Sequence, residues 1–474
     1  MYNKMKLSSN FFLITTLYFS FSTSSILEST LPTNQAFNLS YGQESDFIEN
    51  YLTGYSYCLA DPPKVSTYEP LKDSTLVSVQ AFVRHGDRSP LYYNKNDGDI
   101  WDFCNKSDIV PLLRPVKTAE VPDSFSDASN GTLVDIAVQT LCFPGDLTKK
   151  GAEDSFNLGS AIREIYVDKL GFLSNSLENT NQIRVRTSIA IRTIRTAAYI
   201  LSGLYPVGGP DSNVTVHSFH YPFTKENMYA NSLLCPRVAN LTNSLVASPD
   251  FQEYLGLNKT AITLLNSMID GNTSSSVDFT QTRSYYFDTL STRICHNLPA
   301  PCNSDGECAG KDVYNSMFVG ANWEPLFQKR FSKYSQQYDL ITAGLFLSDI
   351  KKDLEFLVQS NLKKKKCGQK ESQKFLMYSV HDLTFAFLAN SLLADRQNSL
   401  ISPFSSHMFL EVWKSNSNAN NLSVRIMLNN RILKVVGLDG SDQPWCDFNS
   451  CDYNKFIKFL NSKIPSNSTA ECMA

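Results

Sequence analysis

Apolar and polar positions divide the chain into elements of two periods. Residues 76–83 read as a buried strand, with Leu76, Val77, Val79, Ala81, Phe82 and Val83 packed closely together. The next seven residues, Arg84-His85-Gly86-Asp87-Arg88-Ser89-Pro90, are abruptly polar. Phe156, Leu158, Ala161, Ile162, Ile165 and Tyr166 then recur at helical spacing behind Thr148, a good helix cap, and that helix ends near 170–171. Residues 182–187 alternate as a strand. A second helix starts near Ser188 and runs through Ile194, Ala197, Ala198, Ile200 and Leu201 to Gly203. Strand, helix and strand in that order imply βαβ units and a parallel sheet.

The remaining pattern fills in around this core. Residues 92–140 keep no strong period and read as a loop-rich insertion. From 205 the character changes, with helical stretches at 241–255 and 334–346, and the chain to 369 reads as an inserted, mainly helical cap. The strand pattern resumes at 374–380, ends in His381-Asp382 and runs straight into an apolar helix over 383–393. A hairpin of 409–414 with 422–428 and a helix near 454–460 complete the chain. The sheet core therefore spans 57–204 and 370–474.

Composition narrows the setting. The chain has 474 residues, 42% hydrophobic and 19% charged, so it can bury a sizeable core, and its net charge of -3 gives no electrostatic reason for a nucleic-acid partner. Lys4 and Lys6 precede an apolar run over 11–21, and small residues follow, so residues 1–25 read as a signal peptide or signal anchor. Residues 26–56 read as a linker or stem. Any membrane contact runs through that N-terminal segment. The 11 cysteines contain no C-x-x-C pair and point to disulfides in an oxidising compartment. Cys295, Cys302 and Cys308 cluster tightly, as do Cys446 and Cys451; a zinc site at the first cluster, beside His296, is the sharper alternative. Glycosylation acceptor motifs stand at Asn38, Asn105, Asn130, Asn213, Asn240, Asn258, Asn272, Asn421 and Asn467. These features place the protein in the lumen of the secretory pathway (Golgi, lysosomal or secreted), with a type II anchor as one form.

Two strands end in His-bearing loops, Arg84-His85 and His381-Asp382, and Arg184, Arg186, Arg192 and Arg195 cluster at the junction between a third strand and its helix. Ligands of open α/β sheets bind at the carboxyl ends of the strands. Arginine presents a planar fork suited to phosphate, and histidine is a ready nucleophile near neutral pH. The local chemistry reads as phosphate held beside a histidine. Asp382 by itself reads more readily as a helix cap, and Arg192 can be read as a surface residue of its helix. His217, His220, His296 and His407 read as packing or surface residues, and 363–366 as a solvated lysine run.

The string R-H-G-x-R-x-P at a strand end, a downstream Arg192-Thr193 and a late His381-Asp382 together resemble the histidine acid phosphatase family (histidine phosphatase superfamily, branch 2). The resemblance covers most of the chain from about residue 57. It implies an α/β three-layer sandwich of the phosphoglycerate-mutase-like type, with a mainly parallel central sheet and the helical cap. It implies phosphomonoester hydrolysis through a phosphohistidine: His85 as nucleophile, Arg84, Arg88, Arg192 and His381 on the phosphate, Asp382 as the acid, and no cofactor or metal. Leu76-Val77-Ser78-Val79-Gln80, Cys295-His296-Asn297 and Tyr378-Ser379 are similar to the 2-phosphoxylose phosphatase branch. That similarity implies phosphorylated xylose of the glycosaminoglycan–protein linkage as lead substrate. A broad-specificity secreted or lysosomal acid phosphatase is the first alternative, and a catalytically silent luminal anion-binding protein the second.

Overall fold

The computed structural model describes residues 56–91, 101–105, 114–120, 132–133, 141–177, 180–208, 214–268, 279–363, 372–418 and 420–474. The N-terminal targeting segment, the acceptors Asn38, Asn130, Asn213 and Asn272, most of the 92–140 insertion and most of the lysine run lie outside these residues.

A ten-stranded mixed sheet runs through the molecule. Its centre is parallel: β1 (Ser74–Arg84) pairs with β6 (Phe375–Val380), β6 with β4 (Ile183–Thr187), β4 with β5 (Val216–His220) and β5 with β2 (Val116–Glu120). On the other side of β1 the strands turn antiparallel, with β7 (His407–Ser415), β8 (Leu422–Leu428) and the short β10 (Cys451–Asp452); β3 (Thr132–Leu133) closes the far edge and β9 (Arg431–Ile432) extends β8. The hairpin read from the sequence is β7–β8.

Alternation along β1 builds two cores. Val79, Ala81 and Val83 face α1 (Lys149–Arg163), the π-turn Glu164–Lys169 that continues it, and α2 (Ile191–Leu204), in a cluster with Leu158, Ile162, Ile165, Ala197, Ala198 and Leu201. Val77 and Phe82 pack in a second cluster with Phe346, Ile350, Leu354, Phe385, Leu388, Phe456 and Leu460. These come from α8 (Ser335–Leu362), α9 (Asp382–Ser391) and α10 (Tyr453–Lys463). Helices therefore cover both faces, and the fold is the expected α/β sandwich. Thr148 is the cap of α1, accepting the Gly151 N–H at 3.1 Å.

Three sequence readings need correction. The cap expected over 205–369 contains β5, a strand of the central sheet; its pattern, Val216-His217-Ser218-Phe219-His220, carries too little apolar alternation to be recognised. The same range contains α8, which runs well past residue 346 and packs on the sheet along most of its length, with Tyr338 near its start reaching the cleft. The insertion over 92–140 contains β2, a sheet strand disguised by Lys117, Thr118 and Glu120. The cleft at the carboxyl ends of the strands is lined by residues of α3 (Arg237–Val246), α6 (Phe279–Cys295) and α7 (Lys311–Leu326), with α4 (Pro249–Leu257) and α5 (Lys259–Met268) between α3 and α6 in the chain. A terminal helix, α11 (Ser468–Met473), docks beside α3 through the Cys235–Cys472 disulfide.

Ten cysteines form five disulfides: Cys58–Cys295, Cys104–Cys142, Cys235–Cys472, Cys302–Cys308 and Cys446–Cys451. Cys367 lies outside the described residues. The Cys295–Cys308 cluster is thus disulfide-bonded, which overturns the zinc alternative there. Asn105, Asn240, Asn421 and Asn467 are exposed, whereas Asn258 is buried and donates its amide to the Tyr254 carbonyl at 2.9 Å. Among the described residues no helix is long and apolar enough to cross a membrane.

Candidate active site

Register brings the two histidine loops together. Arg84 pairs with Val380 across β1–β6, so His85 and His381 each sit one residue past the end of neighbouring parallel strands. Thr187 of β4 pairs with Ser379, so Ser188 leaves the sheet beside them. The His85 and His381 rings stand edge to face with centroids 5.6 Å apart.

The loop after β1 is pressed against the start of α1. A side chain at Gly86 would strike the Gly151 carbonyl and the Ser155 hydroxyl, and one at Gly151 would strike the Asp87 backbone. The close approach explains a glycine at both positions. It also sets the imidazole: His85 Nδ1 lies 2.9 Å from the Gly86 carbonyl, which only accepts, so Nδ1 carries the proton and Nε2 keeps its lone pair. Burial, followed by the guanidiniums of Arg192, Arg84 and Arg88, pushes the His85 pKa well below the usual imidazole range. The lowered pKa favours the neutral ring, whose Nε2 lone pair can serve as a base or nucleophile.

The arginines differ in how they are held. Arg84 is buried, donates to the Tyr57 hydroxyl at 2.7 Å and to the Ser402 carbonyl, and is ion-paired to Asp382 at 2.8 Å, with the Phe404 ring 4.3 Å from its guanidinium. Arg88 is ion-paired to Asp288 at 2.7 Å. Among the described residues Arg192 hydrogen-bonds to His381 Nδ1, at 3.4 Å. Burial and the neighbouring Arg88 push its pKa down to about 10. His381 caps α9, and its Nε2 faces the Ser188 hydroxyl at 2.8 Å; burial and Arg192 hold its pKa well below the usual range. Burial pulls the Asp382 carboxyl upward, but Arg84, Arg88 and His381 outweigh it and hold it below the usual carboxylate range.

All six residues singled out from the sequence meet here, and five of them line one cleft of about 700 Å³, with Arg84 behind Tyr57 at its base. Arg186, from the same cluster of arginines, does not join them: it is ion-paired to Asp349 at 2.9 Å and to Glu226 at 3.4 Å. Arg184 pairs with Asp353 and Arg195 with Asp146. The sequence reading missed Tyr57, Ser188, Asp288 and Tyr229, which also line the cleft. None of them lies in a recognisable motif. His296 is packed between Phe103 and Trp101, in keeping with its reading as a packing residue, and its Nε2 also lies 2.7 Å from Asp87 Oδ1.

An α/β sandwich with buried arginines and two histidines converging at the carboxyl ends of its parallel strands defines a protein built to hold an anion against a nucleophilic imidazole. The sequence profile of the histidine phosphatase superfamily (branch 2) matches residues 75–429, and the chain belongs to that family. Counting factor 60 of Dictyostelium discoideum is 24% identical over 88% of this chain and 92% of that protein. Human lysosomal acid phosphatase is 24% identical over 85% of this chain and 81% of its own length, and human 2-phosphoxylose phosphatase 1 is 25% identical over 75% and 70%. A Hafnia alvei phytase in complex with tartrate superposes with a TM-score of 0.52 at 14% identity, over 85% of this chain and 99% of that one, a likeness of fold. The protein is a phosphatase that hydrolyses phosphomonoesters, which sets aside the silent-binder alternative.

Proposed function

We propose that hydrolysis passes through a phosphohistidine on His85. The observation that carries this reading is the unprotonated Nε2 of His85 in a cleft crowded with guanidiniums. Arg84, Arg88, Arg192 and His381 hold the phosphoryl oxygens, and stabilising charge that spreads over those oxygens is most of what phosphoryl transfer needs. The Nε2 lone pair attacks phosphorus, the ester P–O bond breaks, and the departing alkoxide takes a proton from Asp382. Water then gives a proton back to Asp382 as it attacks the phosphohistidine, and the N–P electron pair returns to Nε2. Arg84, Arg88 and His381 favour the ionised form of Asp382. A phosphate dianion beside it offsets the arginines and raises its pKa, so substrate itself equips the carboxyl with the proton it delivers. No step uses a cofactor.

The lead substrate is a phosphorylated sugar of the 2-phosphoxylose type, in the lumen of the secretory pathway. The relatedness to 2-phosphoxylose phosphatase supports it, as does a cleft whose outer wall combines Phe223, Tyr229 and Leu383 with the amides of Asn243 and Gln328. Such a wall suits a neutral sugar, apolar on one face and hydroxylated at its edge. Five disulfides and four exposed acceptor asparagines favour the luminal setting. Equal relatedness to lysosomal acid phosphatase favours a second reading, broad specificity.

Rapid quench with a labelled ester separates these statements from their rivals. Wild type should trap an acid-labile phosphoramidate and His85→Ala should not; turnover by wild type without a trapped adduct would sink the covalent route. Parallel kcat/KM values on a phosphoxylosyl linkage oligosaccharide and on a chromogenic ester should favour the oligosaccharide by about a hundredfold, roughly the value of two good buried hydrogen bonds. Equal values would leave broad specificity standing.

A further inference from the structure

We infer that His296 is a positioning residue for the nucleophile loop, acting through Asp87, and that helix α6 thereby braces the catalytic loop from above. This rests on the phosphatase reading of the cleft. A carboxylate only accepts, so the 2.7 Å contact means that His296 Nε2 carries a proton and donates it to Asp87 Oδ1. Both side chains are buried: the imidazole is 4% exposed and the carboxylate 0%. The same Oδ1 takes the Thr148 hydroxyl at 2.5 Å, and the Asp87 backbone carbonyl takes the Thr148 N–H at 3.1 Å. Asp87 lies between His85 and Arg88 in the chain. One side chain therefore joins the loop that carries the nucleophile, the first turn of α1 and the end of α6.

The far end of this link is itself fixed. Phe103 and Trp101 flank the His296 ring with centroids at 4.6 and 5.4 Å. Cys295 is bonded to Cys58, whose neighbour Tyr57 accepts from Arg84. About two turns back along the same helix, Asp288 grips the loop again, pairing with Arg88 and accepting the Leu91 N–H at 2.7 Å. The loop is thus held from α6 at two points. His296 touches neither substrate nor the reacting atoms, so its loss should disturb the aim of His85 more than the grip on phosphate. Asp288 orients a clamp arginine, so its loss should disturb the grip.

The full-length chain with His296→Leu, His296→Gln and Asp288→Asn tests this, with kcat, KM, the inhibition constant of inorganic phosphate and Tm measured for each. A misaimed nucleophile costs on the order of tenfold or more. His296→Leu should lose about tenfold in kcat with KM and phosphate inhibition within about threefold. His296→Gln, whose amide N–H can still reach Asp87, should regain most of it. Asp288→Asn should instead raise KM and weaken phosphate inhibition. A kcat within about twofold of wild type for His296→Leu overturns the inference, as does an equal loss in the Gln and Leu variants. Should His296→Leu not fold, Asp87→Ala, which removes the acceptor of both donors, carries the same test: lowered kcat with unchanged phosphate inhibition bears the inference out, and unchanged kcat overturns it. An inert wild type would sink the phosphatase reading, whereas an active wild type with indifferent His296 variants sinks only this one.

Discussion

At Glu411, on β7, each carboxylate oxygen has its donors inside the protein. Oε1 takes the Tyr68 hydroxyl at 2.7 Å and the Tyr166 hydroxyl at 2.6 Å, and Oε2 takes the Trp413 indole N–H at 2.8 Å. In the cleft beyond the far end of β1 the opposite holds. The Nε groups of Arg84, Arg88 and Arg192 are buried with no hydrogen-bond partner among the described residues, and Arg192 meets another potential cation, His381. Both regions bury charge, which is costly unless it is partnered. Glu411 is partnered by its own fold and reads as structure. In the cleft Arg84 and Arg88 have Asp382 and Asp288, but Arg192 has no carboxylate partner among the described residues and is matched when an anion arrives. An orphaned Nε alone does not mark a site, since Arg186 has one too beside its two carboxylates; the contrast rests on Arg192, which faces His381 instead of a carboxylate.

The sharpest way to break the comparison is to remove one cation. Arg192→Ala should lower kcat/KM by about 10²–10³-fold, because a preorganised donor to the transferring phosphoryl group is lost. Its Tm should hold or rise, because the guanidinium that disappears had been destabilised by burial and by Arg88. A large fall in Tm would make Arg192 a structural residue and erase the contrast with Glu411. The complementary change is Glu411→Gln. Its amide can accept from the two tyrosines or offer N–H to them, but its second terminal atom no longer accepts from Trp413, so one buried polar group goes unpaired. Chemical unfolding should show a loss of about 1–3 kcal/mol, with kcat unchanged. A catalytic defect without destabilisation would contradict the division of roles.

The sequence carried the cleft further than it carried its surroundings, for a physical reason. Arg84, His85 and Arg88 share one loop, and His381 and Asp382 share another; each follows a strand whose apolar run is easy to read. Arg192 is separable from Arg186 in the sequence because Arg192-Thr193 matches the family's R-T pair on a helix, and the structure agrees: one faces the cleft and the other the carboxylates Asp349 and Glu226. Nothing local marks Tyr57 or Asp288, which reach the loop from far along the chain and owe their roles to tertiary packing alone. β2 and β5 escaped because their side chains are too polar to show a strand period, and the sheet makes them strands by pairing them beside β4. α8 was placed in the cap because a long buried helix and a cap helix carry similar patterns; only its packing against Phe82 decides the layer.

Titration gives the smallest and most selective test of the contrast, because the two regions shift in opposite senses. Burial raises the Glu411 pKa above its ordinary 4.5, against the lowering effect of its three donors. Between pH 4.5 and the raised value the folded carboxyl keeps a proton that the unfolded one has released, so this group's contribution falls as pH rises, by at most about 1.4 kcal/mol per pH unit. For His85 and His381 the folded pKa is depressed below 6.5. Below that value the unfolded chain takes up protons that the folded cleft refuses, so their contribution is present at neutral pH and falls on acidification. Subtracting the stability of Glu411→Gln from that of wild type removes the histidines, which both proteins share, and leaves the carboxyl. That difference should be larger near pH 5 than near pH 7 when unfolding is followed at both. Saturating inorganic phosphate partners the arginines directly, so it should raise the stability of both proteins at each pH and leave the difference between them unchanged. A difference that moved with phosphate would mean that the two regions are coupled through β1, and the division between a self-satisfied charge and a waiting one would fail.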